Sequence, residues 1–203
     1  MERVIAYVDG NELNAALRAK GWERFSWLDV SGLARRFLAP GQELVMTRYF
    51  VSLVDEPEAE RRRQAIYLET LQTLPGLRAF CSQQPAETTS VRQYGLEAAL
   101  EVKRVPAVEI AVEMMLDAAL DRMDAVMLCS TDGSLAAVLS TARRLERHRP
   151  ITVVFPPGQR SPALEQSASN VLHIGYHDLA ESQLQDRIAK DKGVVLRKPE
   201  ARR

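Results

Sequence analysis

Cysteine is nearly missing from this chain: only Cys81 and Cys129 occur, far apart and outside any CxxC pair. Their scarcity excludes a disulfide scaffold and a thiolate metal site, and fits a reducing, cytoplasmic setting. Charge of one sign is missing too. The 27 Lys and Arg balance the 27 Asp and Glu, so any nucleic-acid role must rest on local patches. No apolar run approaches the roughly 18 residues of a membrane span, and "RVIAYV" near the N-terminus is too short for a signal-peptide core. A soluble protein with no membrane partner is expected. GxGxxG and P-loop patterns are absent, so dinucleotide and NTP sites lack their phosphate cradle. His173 and His177 stand four apart but have no zinc-pattern partner, and they read as a local turn. Ser130 has no G-x-S-x-G elbow around it, and Cys129 reads as a core thiol.

What is present suits one sizeable core: 203 residues, of which 46% are hydrophobic. Short apolar runs rich in β-branched residues alternate with amphipathic stretches. "RVIAYV", "ELVMTRYFVSLV", "LRAFCSQ", "DAVMLCS" and "ITVVFP" read as five strands. Helices are expected over "NELNAALRAK", over "SGLARRFLAPG" with Ser31 as N-cap, over "EPEAERRRQAIYLETLQTL", over 107–120 and over "GSLAAVLSTARRLERH". A further helix follows Ser161, with Pro162 at its first position. Residues 84–105 fit strand, hairpin or helix. Such alternation predicts an α/β fold, a mainly parallel sheet of about five strands covered on both faces. The domain is expected over 1–182, with 183–203 a basic, polar, partly disordered tail.

In open α/β sheets ligands bind beyond the carboxyl ends of the strands. Asp9 follows the first strand and Asp132 the fourth. Each alone reads as a helix cap; together they point to a shared site. Glu109 opens the helix near residue 107, close to the same edge. Glu113, Asp117 and Asp121 continue at four-residue spacing and read as that helix's solvated face, with Met114, Met115 and Leu116 covered.

"AYVDGNELNAAL", "WLDV", "LVMTRYFVS", "RRQAIYLETLQTLPGL", "AVEMMLDAAL", "DAVMLCSTDGSLAAVL" and "GVVLRKP" resemble, in order, the NYN-domain family of PIN-like ribonucleases. The resemblance runs from about residue 3 to about 199. It implies a Rossmann-like PIN fold and metal-dependent endoribonuclease chemistry, with acids at the sheet's C-terminal edge holding Mg²⁺ or Mn²⁺. The family pattern V-D-G-x-N-L falls on Val8 to Leu13, keeping Asp9 but placing Glu12 where the family has Asn. A family Asp at a helix start falls on Ala107. In the S-x-D-S-D segment the first Asp is Asp132 and the second position is Ser134. Two expected acids are gone; Glu12 and Glu109 offer replacements.

The resemblance therefore implies catalytic Asp9, Asp132, Glu12 and Glu109, with Asp9, Asp132 and Glu12 as metal ligands and single-stranded RNA as substrate. Phosphate contacts are expected from Arg61, Arg62 and Arg63, or from the cluster of Arg143, Arg144, Arg147 and Arg149. A homodimer is compatible with this reading. The alternative is a catalytically inactive PIN-like domain kept as an RNA- or protein-binding module.

Overall fold

The computed structural model of the chain describes residues 1–53, 57–83, 88–93, 96–101, 106–145, 149–189 and 195–199, with backbone alone at 83, across the two segments 88–93 and 96–101, and at 145. The chain runs β1 (Glu2–Asp9), α1 (Gly10–Ala19), a 3-10 turn (Glu23–Phe25), α2 (Val30–Arg35), β2 (Gln42–Leu53), α3 (Glu58–Leu71) and β3 (Leu77–Gln83). The hairpin β4 (Thr88–Gln93) and β5 (Leu96–Glu101) follows, then α4 (Ala107–Ala119), β6 (Ala125–Cys129) and α5 (Leu135–Leu145). The rest is β7 (Ile151–Phe155), α6 (Pro162–Ser167), β8 (Asn170–His173), α7 (Tyr176–Glu181), β9 (Arg187–Ala189) and β10 (Val195–Arg197). Six strands form one wholly parallel sheet in the order β3-β2-β1-β6-β7-β8.

Parallel strands covered on both faces read as continuous apolar runs whose side chains alternate between two cores. In β1, Val4, Ala6 and Val8 join Leu13, Leu17, Leu33 and Leu71 from α1, α2 and α3. Ile5 and Tyr7 point the other way, to Ile110, Met114, Leu139 and Leu164 from α4, α5 and α6. The sheet thus has six strands rather than about five. The additional one, β8, includes His173, which the sequence placed in a turn. It is a four-residue edge strand with every side chain exposed, so it carries no buried apolar signature.

Three local expectations change. The cap of helix α2 lies two residues earlier than expected: it is Asp29, whose Oδ1 accepts from the Gly32 N–H at 2.8 Å. Ser31 is instead buried and hydrogen-bonds Thr47 Oγ1 at 3.0 Å. Ser161 stands at the N-cap of α6 without a side-chain capping bond. The tail's described residues pair as β9 and β10 rather than lying disordered. Leu184 and Leu196 are buried there, and the Trp27 indole N–H donates to the Gln185 carbonyl at 2.9 Å. Among the described residues no helix is long and apolar enough to cross a membrane.

The largest departure is the facing of α4. Glu113 and Asp117 do not lie on a solvated face. Asp117 is fully buried and accepts from Arg48 Nε and Nη2, both at 2.5 Å, and from the Tyr7 hydroxyl at 2.7 Å. Glu113 stands 2.8 Å from Arg48 Nη1; only Asp121 stays exposed. The cause is Arg48, which β2 places on the face that α4 covers. A buried cation requires acids opposite it. Turning the acids inward leaves Met114 buried but Leu116 43% exposed, in a stripe with Val108, Val112 and Leu120.

Arg48→Met would remove the buried cation facing Asp117 and Glu113, leaving Asp117 only the half-exposed Arg122 and the Tyr7 hydroxyl, a loss of about 3–5 kcal/mol. Adding Asp117→Leu should recover most of that loss. Urea denaturation of the single and double variants checks both.

Candidate functional site

Strand order reverses between β1 and β6: chain connections from β1 proceed toward β2 and β3, those from β6 toward β7 and β8. Diverging connections leave a crevice past the strand ends at such a point. β1 and β6 are in register to the pair Val8 and Cys129. Asp9 ends β1, and Asp132 follows β6 in the turn that opens α5.

Each acid is held by local donors. Asp9 caps α1, its Oδ1 accepting from the N–H groups of Asn11 at 3.0 Å and Glu12 at 3.1 Å. Glu12 reaches across to the end of β6. Its Oε2 accepts from the Ser130 hydroxyl at 2.9 Å and from the Thr131 N–H. Asp132 accepts from the Ser134 N–H at 2.9 Å, while its own N–H donates to Ser130 Oγ at 3.1 Å. Asn11 ties the start of α1 to β2, accepting from the Ser52 N–H at 3.0 Å and donating to Ser52 Oγ at 2.8 Å. Gly10 is required by packing. A Cβ there would lie 2.3 Å from Cζ of the buried Tyr49 ring.

Asp9 is fully buried, and its Oδ2 has no hydrogen-bond partner among the described residues. Burial pushes its carboxyl up to about 7; the charges of Glu12 and Asp132 add to this, and the two N–H donors oppose it. Three carboxylates thus share one charge environment. Burial likewise pushes the adjacent Cys129 thiol up, so it is inert.

The remaining sequence candidates are spread out. Glu109, in the first turn of α4, has a buried Oε2 without a partner among the described residues and acts on Cys81 of β3. Arg61 and Arg62 are exposed near the start of α3, which follows β2 and so opens at the edge carrying Asp9. Arg63 pairs with Glu60 at 3.1 Å. Helix α5 carries the chain back to the opposite edge, so Arg143 and Arg144 in its last turn lie away from Asp9. Arg143 donates to the Ser167 carbonyl at 3.0 Å and Arg144 to Thr141 Oγ1 at 3.1 Å. Arg149 is buried beside Asp121 at 3.4 Å; Arg147 lies outside the described residues. Sequence reasoning missed Asn11, Ser52 and Ser130. Their only signal is position at strand ends beside the acids.

The NYN domain profile matches residues 3–175. The chain belongs to the NYN domain family. This is a family of PIN-like, ribonuclease-type hydrolases that act on RNA and typically depend on a divalent metal. Among solved structures the chain is similar to a protein of unknown function from Vibrio parahaemolyticus RIMD 2210633. The two share 19% identity and a TM-score of 0.58, over 86% of this chain and 94% of that one. At that identity the likeness carries the fold alone. Comparison with curated proteins gives no match.

NYN domains typically use a divalent ion. Among the described residues no three His, Cys, Asp or Glu side chains stand together as a metal-holding group. The donor chemistry nevertheless fits a hard cation that keeps much of its water. Asp9 presents a buried carboxylate oxygen with no hydrogen-bond partner among the described residues, and Asp132 bears on the same charge environment. Mg²⁺ in particular is commonly held by one or two carboxylates, with water and substrate phosphate completing its shell.

A folded-state value near 7 lies above the ordinary carboxyl value of about 3.9, so the fold favours protonated Asp9. That contribution is fully present below about pH 4 and lost as pH rises through 7. Asp9→Asn keeps the acceptor for both N–H groups and removes the ionisation. In chelator, its melting temperature should match the natural chain near pH 4 and exceed it at pH 8.

Proposed function

We propose that this NYN domain is a divalent-metal-dependent endoribonuclease that hydrolyses phosphodiester bonds of single-stranded RNA in the cleft of Asp9, Glu12 and Asp132. The observation that carries the reading is the buried, unbonded Oδ2 of Asp9 at the point where strand order reverses. A fully buried carboxylate oxygen without a donor is destabilising unless a cation or proton meets it. Asp9 and Asp132 would hold Mg²⁺ or Mn²⁺. Such an ion supplies Lewis-acid polarisation of the phosphoryl group and an activated water.

The chain's own residues do the rest. The backbone N–H groups of Asn11 and Glu12 fix one oxygen of Asp9 and so aim the other. Glu12 is a positioning residue. Through Ser130 and Thr131 it holds the turn that presents Asp132, and it adds negative charge at the position where the family has Asn. Glu109 extends the acidic edge from the first turn of α4. Arg61, Arg62 and Arg63 are the phosphate contacts best placed for the cleft, because α3 opens at that edge.

The second reading, an inactive domain that binds RNA or protein, is favoured by a specific observation. Ala107 and Ser134 replace two family acids, and no three acids cluster among the described residues.

A gel assay on unstructured RNA, with metal and with chelator, separates the readings. The expected result is metal-dependent cleavage, lowered at least about a hundredfold by Asp132→Asn and about tenfold or more by Glu12→Gln. Absence of cleavage together with metal-independent RNA binding would sink the enzyme.

Restoring the family acids with Ala107→Asp and Ser134→Asp tests completeness of the site. Added charge beside three existing carboxylates should leave cleavage unchanged or lower it by repulsion. A large rise in rate would show a depleted site and favour the binding module for the natural chain.

A further inference from the structure

A cavity of about 480 Å³ lies over β2, between α1, the 3-10 turn, α3 and the segment after β10. Its size falls in the range of small-molecule sites, which are mostly apolar with a few placed polar groups. The floor includes Leu17, Val51, Leu68 and the rings of Trp27, Tyr49 and Tyr67. Trp27 and Tyr67 have their polar ends satisfied internally, at the Gln185 and Leu28 carbonyls. Trp27 and Tyr49 are buried, so the ring surface offered to the cavity is chiefly that of half-buried Tyr67. Tyr67 stands 5.9 Å from Trp27 and 6.1 Å from Tyr49 between ring centres.

The rim is cationic: Arg18, Arg24, Arg63 and Lys198 against two acids, Glu23 and Glu60. Three of the cations are engaged. Arg24 donates to the Tyr176 hydroxyl at 2.6 Å, Arg63 pairs with Glu60 at 3.1 Å, and Lys198 lies 4.0 Å from Asp186. The Arg18 side chain has no polar partner among the described residues. Side-chain amides of Asn14 and Gln64 line the same walls, Gln64 Nε2 donating to the Ser52 carbonyl at 2.9 Å. Such a wall can bond the polar edge of a heterocycle while a cation takes a phosphate.

We infer that this cavity binds a small anionic ligand with a flat heterocyclic ring, the class of the nucleoside monophosphates, with its phosphate at Arg18 and Lys198. The ligand is a free nucleotide or the terminal nucleotide of a chain; both present the same ring and phosphate. The site is distinct from the carboxylate cleft, although Tyr49 touches both and Arg63 on the cavity rim is also among the arginines proposed for RNA phosphate. The Tyr49 ring fills the space beside Gly10, and its hydroxyl accepts from Asn14 Nδ2 at 3.4 Å.

The test is calorimetric titration of the full chain with AMP and UMP, and separately with the bare nucleosides, inorganic phosphate and a short single-stranded oligonucleotide. Mononucleotides should bind more tightly than nucleoside or phosphate alone. Arg18→Glu and Lys198→Glu should each weaken binding about tenfold or more, with Arg18→Lys retaining much of it. Both positions are exposed, so folding should persist, and matched melting curves check this. Ser26→Trp, which fills the mouth from the rim, should abolish binding. Binding of the oligonucleotide with the same variant pattern would assign the cavity to a chain terminus; binding of the mononucleotides alone would assign it to free nucleotide. No mononucleotide or oligonucleotide binding at millimolar concentration would overturn the inference. So would binding that Asp132→Asn removes and Arg18→Glu leaves intact. Neither outcome bears on cleavage, which the gel assay reads separately.

Discussion

A strand flanked by parallel neighbours on both edges and by helices on both faces can offer chemistry only at its end. β1 is that strand: β2 and β6 hydrogen-bond its two edges, and its side chains feed both cores. Everything at the candidate site follows from where it stops. The last residue, Asp9, is buried by that environment. Its neighbours in sequence turn at once into α1, whose first free N–H groups meet one carboxylate oxygen and leave the other bare. The reversal of strand order then places the end of β6 beside it.

Two buried acids show how differently the same fold treats charge. Asp117 is enclosed by Arg48, Tyr7 and Arg122, so its charge is answered within the protein. Asp9 has two backbone donors on one oxygen, none on the other, and two further carboxylates bearing on it. A paired buried acid contributes to the architecture. An acid whose second oxygen has no partner among the described residues, at the edge where open α/β sheets bind ligands, is the feature on which the proposed metal site rests.

Helix α1 divides two environments. Its N-cap Asp9 and first-turn Glu12 stand at the strand ends, and farther along it presents Asn14 and Arg18 to the cavity lined by Tyr49 and Tyr67. Tyr49 is the shared wall, packed so closely on Gly10 that no side chain fits there. The cleft is acidic and narrow in donors, whereas the cavity is apolar with a cationic rim.

Local patterning in the sequence was enough for the alternation of strands and helices, for the parallel sheet, and for two acids at strand ends. Period-two and helical apolar spacing are local properties of a chain. Spacing also shows which residues share a helix face, but it cannot say which face meets the sheet. Glu113 and Asp117 turned inward because Arg48 waits for them on β2, 69 positions away in the case of Asp117. For the same reason the edge strand β8, the docking of the tail onto Trp27, and the bridges from Asn11 to Ser52 and Glu12 to Ser130 had no sequence signature. The cavity lined by residues from Asn14 to Pro199 had none either. Each depends on groups brought together only when distant segments pack. The sequence alone determined the elements and the ends at which acids stand; tertiary structure decided which charges are answered, because pairing is a property of space and not of order along the chain.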